Sequence, residues 1–299
     1  MLDVVIIGSG PAGITAAIYA KRANLNVAVV EKEYLGTGQI AESSRVDNYP
    51  GIPGIDGYSL GEKFREHAES LGVEFTEAQV LSLGQKDGIW IIGCDEDITL
   101  ESKVVIYATG CKNRSLGVPG EEKYYGRGLS FCAVCDGAFY KGKRVAVIGG
   151  GDTALDDAMY LSDICEKVYL VHRREFFRGS ASTLEKLKQK ENVEIIVNAR
   201  VEEITGDKKI DGIILDNKTK LNISGLFAAV GMIPQTELLK EFGVLDESNY
   251  VKASEDTKTT VNGLFAAGDV RTKQLRQVVT AAADGANAIY SVMEYLRNI

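Results

Sequence analysis

Short runs of four or five apolar, often β-branched residues recur along the chain, closed by glycine and followed by longer stretches with helical spacing. Residues 4–7 (Val-Val-Ile-Ile) run into Gly8, Gly10 and Gly13, and the next apolar run is 27–30 (Val-Ala-Val-Val). This pattern predicts a strand, a glycine turn, a helix and a second strand, in a parallel sheet covered on both faces. The pattern returns at a constant shift of 141 positions: 144–154 superimpose on 3–13, Ala158 on Ala17, Tyr160 on Tyr19 and 168–171 on 27–30. A duplicated unit is therefore expected. Further strands are predicted at 89–92, 103–110, 193–197, 210–215 and 225–231, and those ending in Gly110 and Gly231 occupy similar late places in the two units. Residues 263–269 read as another strand and turn, and an alanine-rich helix follows over about 276–297. That closing stretch resembles neither repeat. The expected arrangement is a discontinuous first domain, residues 1–112 and 235–299, with the second domain, 113–234, inserted into it.

Each glycine turn fits a dinucleotide fingerprint for physical reasons. Gly8 and Gly149 allow the tight turn, Gly10 and Gly151 allow backbone approach to a pyrophosphate, and Gly13 and Ala154 allow the helix to pack on the strand. The expected fold class is α/β with two Rossmann-like FAD/NAD(P)-binding domains. The units differ at the end of the second strand, 23 residues after the first glycine, where one has Glu31 and the other His172. An acidic side chain there accepts from ribose hydroxyls, so the first unit suits FAD or NAD. His172 is followed by Arg173, Arg174 and Arg178, whose guanidiniums can hold a 2′-phosphate, so the second unit suits NADPH.

Composition narrows the classes without changing this picture. The chain has 299 residues, 45% hydrophobic and 25% charged, enough for two packed domains. With 34 basic and 42 acidic residues the formal charge is -8, which argues against nucleic acid or an anionic membrane as the main partner. No apolar run approaches the roughly 18 residues of a membrane helix, and no basic leader precedes residues 4–7, so a cytoplasmic protein is expected.

The odd count of five cysteines does not suit a disulfide framework, and only Cys132 and Cys135 are close in sequence. Zinc would need further ligands, and the chain offers only His67 and His172 and no second cysteine pair. A reversible disulfide is the better reading beside a nucleotide unit. Asp136 is either the acid and base of thiol exchange or a cap or turn residue before Gly137. Cys94, Cys111 and Cys165 read as buried small hydrophobes. A nicotinamide, a flavin and a dithiol together define an electron relay.

The set formed by 8–13, Gly38-Gln39, 48–51, 108–110, 132–136, 149–154, 172–174 with Arg178, 267–269 and 276–278 resembles the low-molecular-weight thioredoxin reductases of bacteria, archaea and plants, over nearly the whole chain. The resemblance implies a homodimeric, NADPH-dependent flavoprotein disulfide oxidoreductase acting on thioredoxin. The alternative is the same relay serving another small redoxin or a peroxiredoxin-system protein. It implies FAD contacts from Gly8, Gly10, Pro11, Ala12, Gly13, Glu31, Gly38, Gln39, Asn48, Thr109, Gly110, Asp269, Arg276, Gln277 and Val278. NADPH contacts would come from Gly149, Gly151, Asp152, Thr153, Ala154, His172, Arg173, Arg174 and Arg178. By position, Asp136 would be the acid and base, Cys135 would lie against the flavin and Cys132 would attack thioredoxin. In that family the inserted domain rotates, so 108–110 and 231–234 are expected hinges. Thr37 departs from the pattern, where glycine commonly precedes Gly38.

Overall fold

The computed structural model describes residues 1–33, 37–43 and 45–299. The chain forms two compact units: Met1–Lys112 with Ile233–Ile299, and Asn113–Met232. Among the described residues no helix is long and apolar enough to cross a membrane.

In the discontinuous unit the strand Leu2–Ile7 lies between Val27–Glu31 and Thr99–Tyr107, parallel to both, and Glu74–Glu77 extends the sheet beyond Val27–Glu31. Alternate residues of the first strand serve opposite layers. Val4 and Ile6 enter a core with the helices Pro11–Arg22 and Val278–Leu296, whereas Val5 and Ile7 enter one with Trp90, Leu239 and Val251. A strand buried on both faces has no place for polar residues, hence the unbroken apolar run. The helix Pro11–Arg22 starts with proline at its first turn, where no amide hydrogen is needed. Its Ala12 and Ala16 let the C-terminal helix approach closely: a β-carbon on Gly285 would lie 2.3 Å from the Ala12 carbonyl oxygen. The strand Leu264–Ala266 returns from the C-terminal segment and pairs with the second half of Thr99–Tyr107. The antiparallel strands Val80–Lys86 and Ile89–Cys94 build on its first half.

The inserted unit repeats this plan in a sheet of order Val193–Val197, Lys167–His172, Arg144–Ile148, Gly225–Ala228 and Leu129–Ser130, all parallel. Val145 and Val147 face the helix Asp152–Ser162, and Ala146 and Ile148 face a second layer with Ile213 and Leu215. Ile213 and Leu215 lie on a three-stranded antiparallel sheet, Val201–Thr205, Gly212–Leu215 and Lys220–Asn222. The strand expected over 225–231 stops at Ala228, and the helix expected over about 276–297 runs Val278–Leu296.

Asp157, in the helix Asp152–Ser162, is a buried carboxyl pushed up to about 7 by burial and by its neighbour Asp156.

Candidate functional site

The first glycine turn is closed by contacts that exclude side chains. Gly8 has φ +102, and a β-carbon on Gly13 would sit 1.9 Å from the Gly8 carbonyl oxygen. Around Gly10 the space is open apart from the Thr37 carbonyl oxygen at 3.9 Å. At the end of the second strand, Glu31 accepts from Ser9 N at 2.9 Å and Ser9 Oγ at 3.0 Å, with Lys32 N at 2.7 Å on its other oxygen. The acid is thus anchored to the turn whose ribose it would read.

The remaining residues expected to contact a flavin gather in the same unit. The turn approaches the end of the strand Thr99–Tyr107, where a β-carbon on Gly8 would meet Ala108 O at 2.5 Å and Thr109 Cα at 3.2 Å. Thr109 Oγ1 itself donates to Gln235 O at 2.7 Å, and Gly110 has φ +66. Gly38, at φ +73, lies over Gly10, with Gln39 and Ile40 in the short helix Gly38–Glu42. Thr37 is accommodated by a residue that the sequence did not flag. Gly61 in the helix Gly57–Ser70 leaves the space for its side chain, and a β-carbon there would lie 2.5 Å from Thr37 Cβ. Asn48 Nδ2 donates to Gln277 Oε1 at 2.7 Å, and Gln277 caps the helix that begins at Val278.

Asp269 follows the strand Leu264–Ala266 on a short turn. Its carbonyl oxygen accepts from Cys111 Sγ at 3.0 Å and Arg276 Nε at 3.3 Å, while Arg276 stacks on Tyr250 at 4.2 Å. Burial pushes the Cys111 thiol up to about 11, which suits a neutral donor rather than a nucleophile. The Asp269 Oδ1 is buried and has no hydrogen-bond partner among the described residues, and burial raises its carboxyl pKa despite Lys273 and Arg276 nearby. A buried carboxylate oxygen left orphaned fits a ligand hydroxyl as its missing donor.

Asp284 holds this turn in place, another role without a sequence signal. Its carboxylate accepts from Gly268 N at 2.9 Å, Arg271 Nε at 2.8 Å, Arg271 NH2 at 2.7 Å and Lys273 Nζ at 2.9 Å. Burial alone would raise its pKa, yet the bonds from Arg271 and Lys273 bring it below the usual carboxylate range.

The second glycine turn repeats the close approach at Gly149, where a β-carbon would lie 2.4 Å from Ala229 O, and it is open at Gly151. Here Ala154 fits at the third position and is fully buried. Asp152, at the start of the helix, accepts from Ser180 N at 2.7 Å, and Thr153 is exposed beside it. Arg173, Arg174 and Arg178 are all exposed, with no ion-pair partner among the described residues, three free cations on one loop. His172 differs from them: its ring is buried and bonded to the loop rather than presented to solvent. Burial lowers its pKa, and the three arginines lower it further, so the imidazole is neutral at pH 7.

Cys132 and Cys135 form a disulfide in this inserted unit, on the short helix Ala133–Asp136 that Cys132 caps. Cys135 N donates to Cys132 Sγ at 3.2 Å. Cys132 and Cys135 are half-buried and Val134 between them is 58% exposed, so the bridge reaches the surface of its unit beside an apolar side chain. Asp136 is half-buried, and burial raises its pKa against the opposing effect of Ser130. The other three cysteines are buried and free.

Two glycine-turn units, one with an anchored acid and one with free arginines, together with a surface disulfide, define a two-nucleotide disulfide oxidoreductase. Residues 2–285 match the pyridine nucleotide-disulphide oxidoreductase family. A thioredoxin reductase of Helicobacter pylori is 40% identical over all of both chains. A 34.2 kDa protein in a rubredoxin operon of Clostridium pasteurianum is 39% identical, covering 99% of this chain and 97% of its own. The crystal structure of thioredoxin reductase from Streptococcus pyogenes superimposes with a TM-score of 0.94 at 40% identity, over 100% of this chain and 99% of that one. This chain belongs to the pyridine nucleotide-disulphide oxidoreductases and, within them, to the low-molecular-weight thioredoxin reductases, flavoproteins that use FAD and NADPH.

Proposed function

We propose that the discontinuous unit holds FAD through the residues around Gly8–Gly13, Glu31, Asn48, Asp269 and Arg276–Val278. The inserted unit holds NADPH and reduces a thioredoxin disulfide through Cys132 and Cys135. The observation that carries this reading is the surface disulfide with the half-buried Asp136 next to it, in the unit that also bears the arginine loop. The chemistry that a bound FAD would supply is two-electron exchange between a nicotinamide and a disulfide.

The side chains then do the following. The orphaned Asp269 Oδ1 would accept from a hydroxyl of the bound flavin cofactor, and Asp284 keeps its turn fixed. Reduction of the Cys132–Cys135 bond requires two electrons and two protons. Asp136, whose raised pKa lets it hold a proton at higher pH than an exposed carboxylate, hands one to a departing sulfur and takes it back on reoxidation. Cys132 as thiolate attacks one sulfur of the partner disulfide, forming a mixed disulfide as the partner's other sulfur leaves. Cys135 then attacks Cys132 Sγ, releasing the reduced partner and restoring the Cys132–Cys135 bond. The sum is one disulfide reduced for one NADPH consumed.

The same relay could serve another small redoxin or a peroxiredoxin-system protein, a reading motivated by the relative named for a rubredoxin operon. A panel of oxidised acceptors separates the two: thioredoxin should give the highest kcat/KM, and a higher value for another acceptor would replace this assignment. We also propose a homodimer in the cytoplasm. Val279 and Tyr290, 43% and 73% exposed, lie 11 residues apart on one face of the C-terminal helix and could seat a second copy. Sedimentation at micromolar concentration should give twice the 32.4 kDa chain mass, and a monomer would refute the dimer.

A further inference from the structure

His172 ends the strand Lys167–His172, and its ring is buried while the arginines that follow are exposed. It is 6% exposed and packs on Phe177 with ring centroids 4.8 Å apart. It also fills the space beside Gly150, where a β-carbon would come within 2.1 Å of its Cε1. Its Nε2 lies 3.2 Å from the Phe176 carbonyl oxygen. A carbonyl only accepts, so Nε2 carries the hydrogen and donates. One side chain therefore touches both the glycine turn and the arginine loop. The loop is tied to the same glycine from its far end, since Arg178 N and Gly179 N donate to Gly150 O at 2.7 and 3.2 Å. Asn198 N donates to Arg174 O at 3.4 Å and anchors its middle.

We infer that His172 is a positioning residue that clamps loop 173–178 onto the glycine turn through Gly150 and the Phe176 carbonyl. It thereby presents Arg173, Arg174 and Arg178 in one fixed arrangement, touching no ligand itself. The internal repeat supports this independently. Shifted by 141 positions, Gly150 corresponds to Ser9 and His172 to Glu31, and Ser9 donates two hydrogen bonds to Glu31. Both units thus join the same two positions, one by hydrogen bonds to an acid, the other by a ring that only glycine leaves room for. An unbraced loop would have to be ordered when the phosphate arrives, weakening binding without altering later steps. The consequence for coenzyme choice rests on the proposal that the arginines take a 2′-phosphate; the brace itself does not.

The test uses flavin-loaded enzyme with His172→Ala, His172→Gln and His172→Asn, each first checked for flavin absorbance and cooperative melting. The glutamine amide nitrogen can reach the place of imidazole Nε2, and the asparagine amide stops near Nδ1. Hydrogen exchange at Arg178, Gly179 and Asn198 amides should quicken about tenfold in the alanine and asparagine variants and stay near wild type with glutamine. KM for NADPH should rise about tenfold in those two variants, with kcat within about twofold and KM for NADH unchanged. Unchanged exchange in His172→Ala, equal behaviour of glutamine and asparagine, or an equal rise in KM for both coenzymes would overturn the brace. Faster exchange in an enzyme that shows no preference for NADPH would uphold the brace and overturn the phosphate reading instead.

Discussion

The two glycine turns share a backbone plan and differ in what each can tolerate. In the first, the Gly13 α-carbon packs so close to Gly8 O that a β-carbon would lie 1.9 Å away; in the second, Ala154 occupies the same position with its methyl group fully buried. In the first, the residue after the leading glycine is Ser9, which holds Glu31; in the second it is Gly150, which makes room for His172. The shared backbone plan is thus braced differently in the two units, by an acid held by Ser9 in one and by a ring seated against Gly150 in the other. Among the described residues only the inserted unit carries a disulfide, and the cysteines of the other unit, Cys94 and Cys111, are free.

The comparison breaks most sharply at the dithiol. Cys135→Ser should lower NADPH-driven disulfide reduction by more than about 10^3-fold while the protein stays yellow, because neither nucleotide turn is touched. Retained turnover in a stopped assay with thioredoxin would end the relay assignment. Removing all three guanidiniums, Arg173→Ala with Arg174→Ala and Arg178→Ala, should raise KM for NADPH by at least about 100-fold and leave KM for NADH within a few-fold. Equal losses with both coenzymes would show a general electrostatic effect.

The third-position contrast is next in size. Gly13→Ala should cost at least about 1–3 kcal/mol and release FAD, visible as lost absorbance after gel filtration, whereas Ala154→Gly should cost only about 1 kcal/mol. Equal melting shifts for the two would erase the contrast between the turns. Asp157 adds a pH dependence confined to the inserted unit. Its folded pKa of about 7 is above the unfolded value of about 3.9, so the folded state holds the extra proton. Stability from this group is full below about pH 4 and declines until about pH 7. Asp157→Asn should flatten that decline and raise stability at pH 8 by up to about 4 kcal/mol, read from urea titrations at the two pH values. An unchanged slope would show that the carboxyl is ionised without penalty.

Much of this was legible in the sequence because it depends on local patterns. The apolar runs at 4–7 and 145–148 are strands buried on both faces, and the constant 141-residue shift exposes the duplication. The spacing of Cys132 and Cys135 permits the bridge that the structure contains. What the sequence hid depends on long-range contact. Gly61 matters because Thr37 folds onto it, and Asp284 because Gly268, Arg271 and Lys273 converge on it from an earlier turn. His172 reads in sequence as an NADPH contact at the end of the second strand, followed by three arginines. Its partners, Gly150 and the Phe176 carbonyl, are found only once strand and loop are folded.

The proposed function requires a continuous path for two electrons from NADPH through FAD and Cys132–Cys135 to a thioredoxin disulfide. An anaerobic visible spectrum of the purified protein, titrated with NADPH and then mixed with oxidised thioredoxin, tests every link in one cuvette. The flavin band should bleach with NADPH and return when thioredoxin is added. A band that fails to bleach, or that bleaches and does not return with thioredoxin, would contradict the path.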